Sequence, residues 1–149
     1  MVTKYFLMSG IPGNVEHAEV LSKEFGNGYA VQFLFKSQMK YSDLLKYLDA
    51  AKVDEAKTAA IIDDDVSIPG FFAAVLKKKG IDARTFNCGR AFLDDLHDKF
   101  KSYDLVFCDT DMPEILGPDV LRAYHKLSQE KVSQEKVGVN YGSNIGSQA

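Results

Sequence analysis

Short apolar runs alternate along this chain with segments whose apolar residues recur every three or four positions, the pattern of an α/β protein with a mostly parallel sheet. The first run, Tyr5-Phe6-Leu7-Met8, is stopped by Ser9-Gly10 and the turn residues Pro12, Gly13 and Asn14. Val15, Ala18, Leu21 and Phe25 keep helical spacing until Gly26-Asn27-Gly28. A second run over 30–35 leads into Lys36, and Leu44, Leu45 and Leu48 mark the next helix. The polar stretch 52–57 is expected to be a linker. Residues 59–62 form a third strand that runs straight into Asp63-Asp64-Asp65. Ser67 then stands as N-cap and Pro69 in the first turn of a helix, whose stripe is Ile68, Phe71, Phe72, Val75 and Leu76, closed by Lys77-Lys78-Lys79 and Gly80. A fourth strand covers 83–86, and a helix carries Phe92, Leu93, Leu96 and Phe100. Leu105-Val106-Phe107-Cys108 is the fifth strand, ending at Asp109, and Pro118 opens a last helix with Val120, Leu121, Tyr124 and Leu127 inward. From 128 the sequence SQEKV repeats at once and gives way to a Gly/Ser/Asn-rich end, expected to be a poorly ordered, flexible tail over 128–149.

Composition narrows the class without naming a chemistry. With 149 residues, 46% apolar, 26% charged, 10 Phe and 7 Tyr, the chain suits one domain with a real core. No apolar stretch approaches the roughly 20 residues of a membrane span, and the amino end lacks a signal-peptide layout. Two cysteines are too few for a disulfide scaffold, so the expected compartment is the cytoplasm. A net charge of -3 speaks against direct nucleic-acid binding, and no membrane contact is expected.

The polar residues at the strand ends carry the chemistry. Strands one, two, three and five end at Ser9, Lys36, Asp63-Asp64 and Asp109, at the carboxyl edge where open parallel sheets bind ligands. Three carboxylates converging there repel one another unless a cation joins them. Hard oxygen ligands with room for water and a phosphate oxygen describe a Mg²⁺ site, and a hydroxyl and an ammonium beside it suit a phosphoryl group.

AAIIDDDVSI, with DLVFCDTDMPEILG and its Met, Pro and Gly at three, four and eight positions after Asp109, resembles the first half of a two-component response-regulator receiver domain over residues 59–127. The sixteen positions from Asp64 to Gly80 match that family's spacing across its first helix. FLMSG and FLFKS resemble the fourth and fifth strands, so residues 4–48 look like the second half. The resemblance implies a flavodoxin-like three-layer α/β sandwich with a five-stranded parallel sheet, circularly permuted. One receiver-like domain would span 1–127, with 4–51 its second half, 52–58 the joining linker and 59–127 its first half. Seven linker residues reach at most about 25 Å. The rival is a fragment of two tandem receivers, with 137–141 as a strand of the second.

The resemblance also implies roles. Asp109 would accept a phosphoryl group from phosphohistidine, forming an acyl phosphate. Asp64, Asp109 and the backbone carbonyl of Asp111 would ligate Mg²⁺, with Asp63 acting through a water. Lys36 would pair with a phosphoryl oxygen; Ser9 would hydrogen-bond the group, and Phe33 would move inward with it. The partners would be a sensor histidine kinase or histidine phosphotransfer protein and an unknown downstream protein. The chain would not be an enzyme beyond self-phosphorylation and autodephosphorylation. Ser37 departs from the proline usual after the lysine, and a longer Ser9-to-Lys36 interval makes Gln32 the alternative lysine position. Asp111 and Ile11 would flank the approach of hydrolytic water.

Other readings attach to the same residues. Asp109-Thr110-Asp111 mimics the DxD motif of haloacid-dehalogenase-type phosphatases, although Pro113 departs from it; a non-phosphorylated pseudo-receiver binding module is the third reading. Cys108 is expected to be a small buried residue, and His17, His97 and His125 to lie on the surface without metal-ligand spacing. Gly10-x-x-Gly13 lacks the ending of a phosphate-binding loop, and Lys77 to Lys79 is a favourable charge at a helix end.

Overall fold

A computed structural model describes residues 2–11, 15–37, 39–98 and 102–145, with residues 98 and 132–145 described by backbone alone. The turn at Pro12-Gly13-Asn14 and the expected core position Phe100 lie outside the described residues. Strands and helices alternate: β1 (Lys4–Ser9), α1 (Val15–Phe25), β2 (Val31–Phe35), α2 (Tyr41–Ala50), β3 (Thr58–Ile62), α3 (Ser67–Lys78), β4 (Asp82–Phe86), α4 (Gly89–Asp98), β5 (Leu105–Asp109) and α5 (Gly117–Ile145). The five strands form one parallel sheet in the order β2-β1-β5-β3-β4. Numbered along the chain, this differs from the 2-1-3-4-5 order of flavodoxin-like sheets.

Strand position explains strand sequence. The central β5, Leu105-Val106-Phe107-Cys108-Asp109, is buried at every residue, whereas the edge strand β4 buries only Phe86 among its five. Alternate residues divide the core in two, as the period of two requires. Tyr5, Leu7, Ile62, Val106 and Cys108 face Leu21 and Phe25 of α1, Phe92 and Leu96 of α4, and Leu121 and Tyr124 of α5. Phe6, Met8, Ala59, Ile61 and Phe107 face Leu44 and Leu48 of α2 and Phe72 and Leu76 of α3. Phe6 and Phe107 stack at 4.5 Å across neighbouring strands, and Phe72 meets Phe107 edge-on at 5.4 Å. Each such ring contributes about 2–3 kcal/mol by leaving water.

Four expectations need correction. The segment after α2 is not a loose polar linker, because Ala51, Val53 and Ala56 are buried in the second core. It is also tied down at both ends: the Lys4 ammonium donates to the carbonyls of Ala51 and Lys52, and the Asp104 carboxylate accepts the N–H groups of Lys57 (2.7 Å) and Thr58 (3.2 Å). Ser67 is the first residue of α3 rather than its N-cap; the cap position is Val66, and the side chain that meets this end of the helix is that of Asp65. Asp65 Oδ1 accepts both the N–H (3.0 Å) and the hydroxyl (2.8 Å) of Ser67, so this carboxylate is engaged at the start of the helix. α5 continues past Leu127 to Ile145, since Gln, Glu and Lys in the SQEKV repeats are good helix formers and no proline interrupts them. Residues 137–141 therefore lie in a helix, not in a strand of a second receiver. His125, finally, is not a simple surface residue. It stacks on Phe25 at 4.0 Å, meets the edge of Tyr29, and shares a 2.8 Å hydrogen bond with the Tyr5 hydroxyl. Among the described residues no helix is long and apolar enough to cross a membrane.

Candidate functional site

Sheet order brings the site together. β5 lies between β1 and β3, and Met8 pairs with Asp109 while Ile62 pairs with Cys108. Ser9 and Asp63, the next residue on each neighbour, therefore flank Asp109 at the carboxyl edge. Asp63 leaves β3 with its N–H on the Phe86 carbonyl at 3.1 Å, and only 1% of the residue is exposed. Asp64 turns outward and is exposed. Carboxylate oxygens of Asp63, Asp64 and Asp109 nonetheless lie within 4.8 Å of one another.

The Lys36 ammonium reaches into this cluster from the end of β2. Its Nζ donates to Asp63 Oδ2 at 2.8 Å and lies 3.1 Å from Asp109 Oδ1. Gln32 pairs with Phe6 within the strand and lines a cavity with Thr3, Lys4 and Tyr29 at the opposite, amino-terminal end. Lys36 is thus the basic residue at the acidic cluster.

Burial and mutual repulsion set the charge state. Burial, and then the charge of Asp63, push the Asp109 carboxyl up to about 6 against the opposing pull of Lys36. Burial also raises Asp63, although its bonds from Lys36 and from the Asp65 N–H (2.9 Å) act the other way. For Lys36, burial disfavours the ammonium, but its bonds to the two aspartates outweigh this and hold its pKa above the ordinary value. One monovalent ammonium leaves this group of three carboxylates incompletely neutralised. All three offer hard oxygen donors within a span one small dication can bridge, so the residues present fit Mg²⁺.

The remaining expected residues sit around this centre. Ser9 is buried, and its Oγ accepts the Ile11 N–H at 2.9 Å. Phe33 is half-buried on β2, opposite Leu7 and packed on the first core. Asp111 is exposed in the loop after β5. Ile11 is exposed in the loop after β1. Cys108 is a buried core residue, and burial pushes its thiol well up, which leaves it inert as a nucleophile.

Three further residues, none of them assigned a role from the sequence, shape the site. Thr110 donates both its N–H and its hydroxyl to the Met8 carbonyl, each at 2.7 Å. Ser37, the departure from the proline usual after the lysine, donates its hydroxyl to the Gly10 carbonyl at 3.1 Å. Gly117 donates its N–H to the Thr110 carbonyl at 2.8 Å and leaves no room for a side chain beside the Asp109 backbone. The available signal for Thr110 was a hydroxyl one residue beyond Asp109 at the end of a buried strand, where a polar group has to be hydrogen-bonded.

A parallel α/β sheet with an acidic cluster and a lysine at its carboxyl edge defines the class, and comparison with known proteins agrees: residues 59–134 match the response regulator receiver domain, and the chain belongs to that family. Over 72 residues it is 32% identical to the transcriptional regulatory protein CpxR homolog of Haemophilus influenzae. That match takes in 48% of this chain and 30% of the relative, so the chain spans under a third of that protein's length. No solved structure gives a significant match.

Proposed function

We propose that this chain is a phosphoacceptor receiver in two-component signalling, taking a phosphoryl group from a phosphohistidine onto Asp109 and thereby changing its affinity for a protein partner. The observation that carries the reading is the convergence of Lys36, Asp63, Asp64 and Asp109, drawn from both halves of the sequence, at one sheet edge. In the transfer, an Asp109 carboxylate oxygen forms the new O–P bond as the N–P bond of the donor breaks, and the donor imidazole keeps the electron pair. Asp64, Asp109 and the Asp111 carbonyl would hold Mg²⁺, with Asp63 acting through a water. When bound, the ion supplies charge neutralisation for the phosphoryl oxygens. Lys36 pairs with one of those oxygens, Ser9 hydrogen-bonds another, and Phe33 follows Ser9 inward. The donor is a sensor histidine kinase or a histidine phosphotransfer protein in the cytoplasm, and the output is protein binding rather than direct contact with nucleic acid.

The sheet order supports a circular permutation of the receiver. Counting strands from β3 makes β3, β4, β5, β1 and β2 the first to fifth. The observed order, followed from β4, then becomes 2-1-3-4-5, the flavodoxin-like order. The anchored segment over 52–58 serves as the join.

Titration with beryllofluoride, an acyl-phosphate mimic, in the presence of Mg²⁺ tests the reading. Binding is expected for the native chain and lost in Asp109→Asn. Steady turnover of a phosphate ester would instead favour the aspartate-nucleophile phosphatase. Absence of any response to the mimic would favour a binding module without phosphorylation.

A further inference from the structure

We propose that Thr110 is a positioning residue for the phosphoacceptor chemistry, its hydroxyl fixing the Met8–Ser9 peptide plane and with it the presentation of Ser9 to the group on Asp109. The inference rests on the receiver reading above for its functional half, and on geometry alone for the rest. Thr110 is 2% exposed, so its hydroxyl has to find its partner inside the protein. It donates to the Met8 carbonyl at 2.7 Å, an oxygen that already accepts the Thr110 N–H at 2.7 Å. One donor satisfies a carbonyl; filling both lone pairs from a single residue fixes its direction as well. The Met8 carbonyl and the Ser9 N–H belong to one planar unit, so orienting the first orients the second.

The same short stretch is held from its other side. The Ser9 carbonyl accepts the Lys36 N–H at 2.9 Å, and the Gly10 carbonyl accepts the exposed Ser37 hydroxyl at 3.1 Å. Thr110 in turn is anchored by its own carbonyl, which accepts the Gly117 N–H at 2.8 Å. The route from Asp109 through Thr110 and Met8 to Ser9, and on to Lys36, thus links the acceptor to both residues expected to contact the phosphoryl group. Within it the Thr110 hydroxyl comes from a side chain, so it can be removed without cutting the sheet ladder. Valine fills the same space without the donor, and serine restores the donor.

The experiment compares the full chain with Thr110→Val and Thr110→Ser by amide hydrogen exchange of the metal-free protein, by Mg²⁺ titration, and by beryllofluoride titration at saturating Mg²⁺. In Thr110→Val the Ser9 and Gly10 amides are expected to exchange about tenfold faster and beryllofluoride to bind about tenfold more weakly, the scale of one hydrogen bond. Mg²⁺ affinity, which does not involve Ser9, stays within about twofold, and Thr110→Ser restores both other readouts. Native exchange and native beryllofluoride affinity in Thr110→Val, or a serine variant no better than the valine one, would overturn the proposal. Failure of beryllofluoride to bind the native chain sinks the receiver reading, and the exchange comparison still decides whether Thr110 holds Ser9.

Discussion

The ammonium of Lys36 lies 2.8 Å from Asp63 Oδ2, closer than the 3.1 Å that separates it from Asp109. The contact links the end of β2 to the end of β3, across the width of β1 and β5. In the metal-free protein this one cation carries most of the burden of holding two buried carboxylates side by side.

Removing it is expected to leave those carboxylates uncompensated. Lys36→Met should lose about 2 kcal/mol at neutral pH without metal, somewhat under the cost of breaking a fully buried pair. Mg²⁺ should then recover more stability in the variant than in the native chain, because a dication replaces the missing charge. Urea unfolding with and without Mg²⁺ measures both, and equal stabilisation of the two proteins by the ion would count against the arrangement.

Asp109 gives a pH dependence of definite sign. Its carboxyl titrates at about 6 in the folded chain and at about 4 when unfolded, so between these values the folded state holds a proton that the unfolded state lacks. Its contribution to stability is complete below about pH 4 and vanishes as pH rises through about 6. Asp109→Asn removes that slope, so the stability difference between native and variant, measured by unfolding without metal from acid to neutral pH, should drift against the native chain as pH rises. Mg²⁺ binding is expected to run the opposite way, weakening as pH falls through about 6, because a carboxylate ligand has to be ionised. A pH-independent difference, or metal affinity flat across this range, would show that the carboxyl is not raised.

Gly117 sets the backbone beneath Asp109. A Cβ there would lie 2.0 Å from the Asp109 carbonyl oxygen and 2.9 Å from Thr110 Cα, and backbone atoms cannot swing aside. Gly117→Ala is expected to cost about 2–3 kcal/mol and to weaken Mg²⁺ binding about tenfold or more as Asp109 is displaced. Gly70→Ala is the matched control, since nothing lies within 4 Å of its Cβ position in α3 and alanine favours the helix. Calorimetry and metal titration of both variants make the comparison.

The strands and most helix starts were legible because their signals are local. Apolar runs such as Leu105 to Cys108 and the stripe of Phe72, Val75 and Leu76 survive into the structure almost residue for residue. The acidic cluster and Lys36 were legible for a related reason, as strand ends converge wherever strands are parallel. What was lost depends on contacts distant in sequence. Val53 and Ala56 look like linker residues until the sheet supplies a core beneath them. His125 looks solvated until Tyr5, Phe25 and Tyr29 close around it, and that burial lowers its pKa. The Thr110 hydroxyl meets the Met8 carbonyl across 102 positions of sequence, a pairing no periodicity encodes.

The most direct test is the mass of the protein after exposure to phosphoramidate with Mg²⁺, followed by peptide mapping of the modified residue. A gain of one phosphoryl group, carried as an acid- and base-labile acyl phosphate on Asp109 and absent from Asp109→Asn, is the expected result. No gain at any donor concentration, or a phosphoryl group retained in Asp109→Asn, would contradict Asp109 as the acceptor.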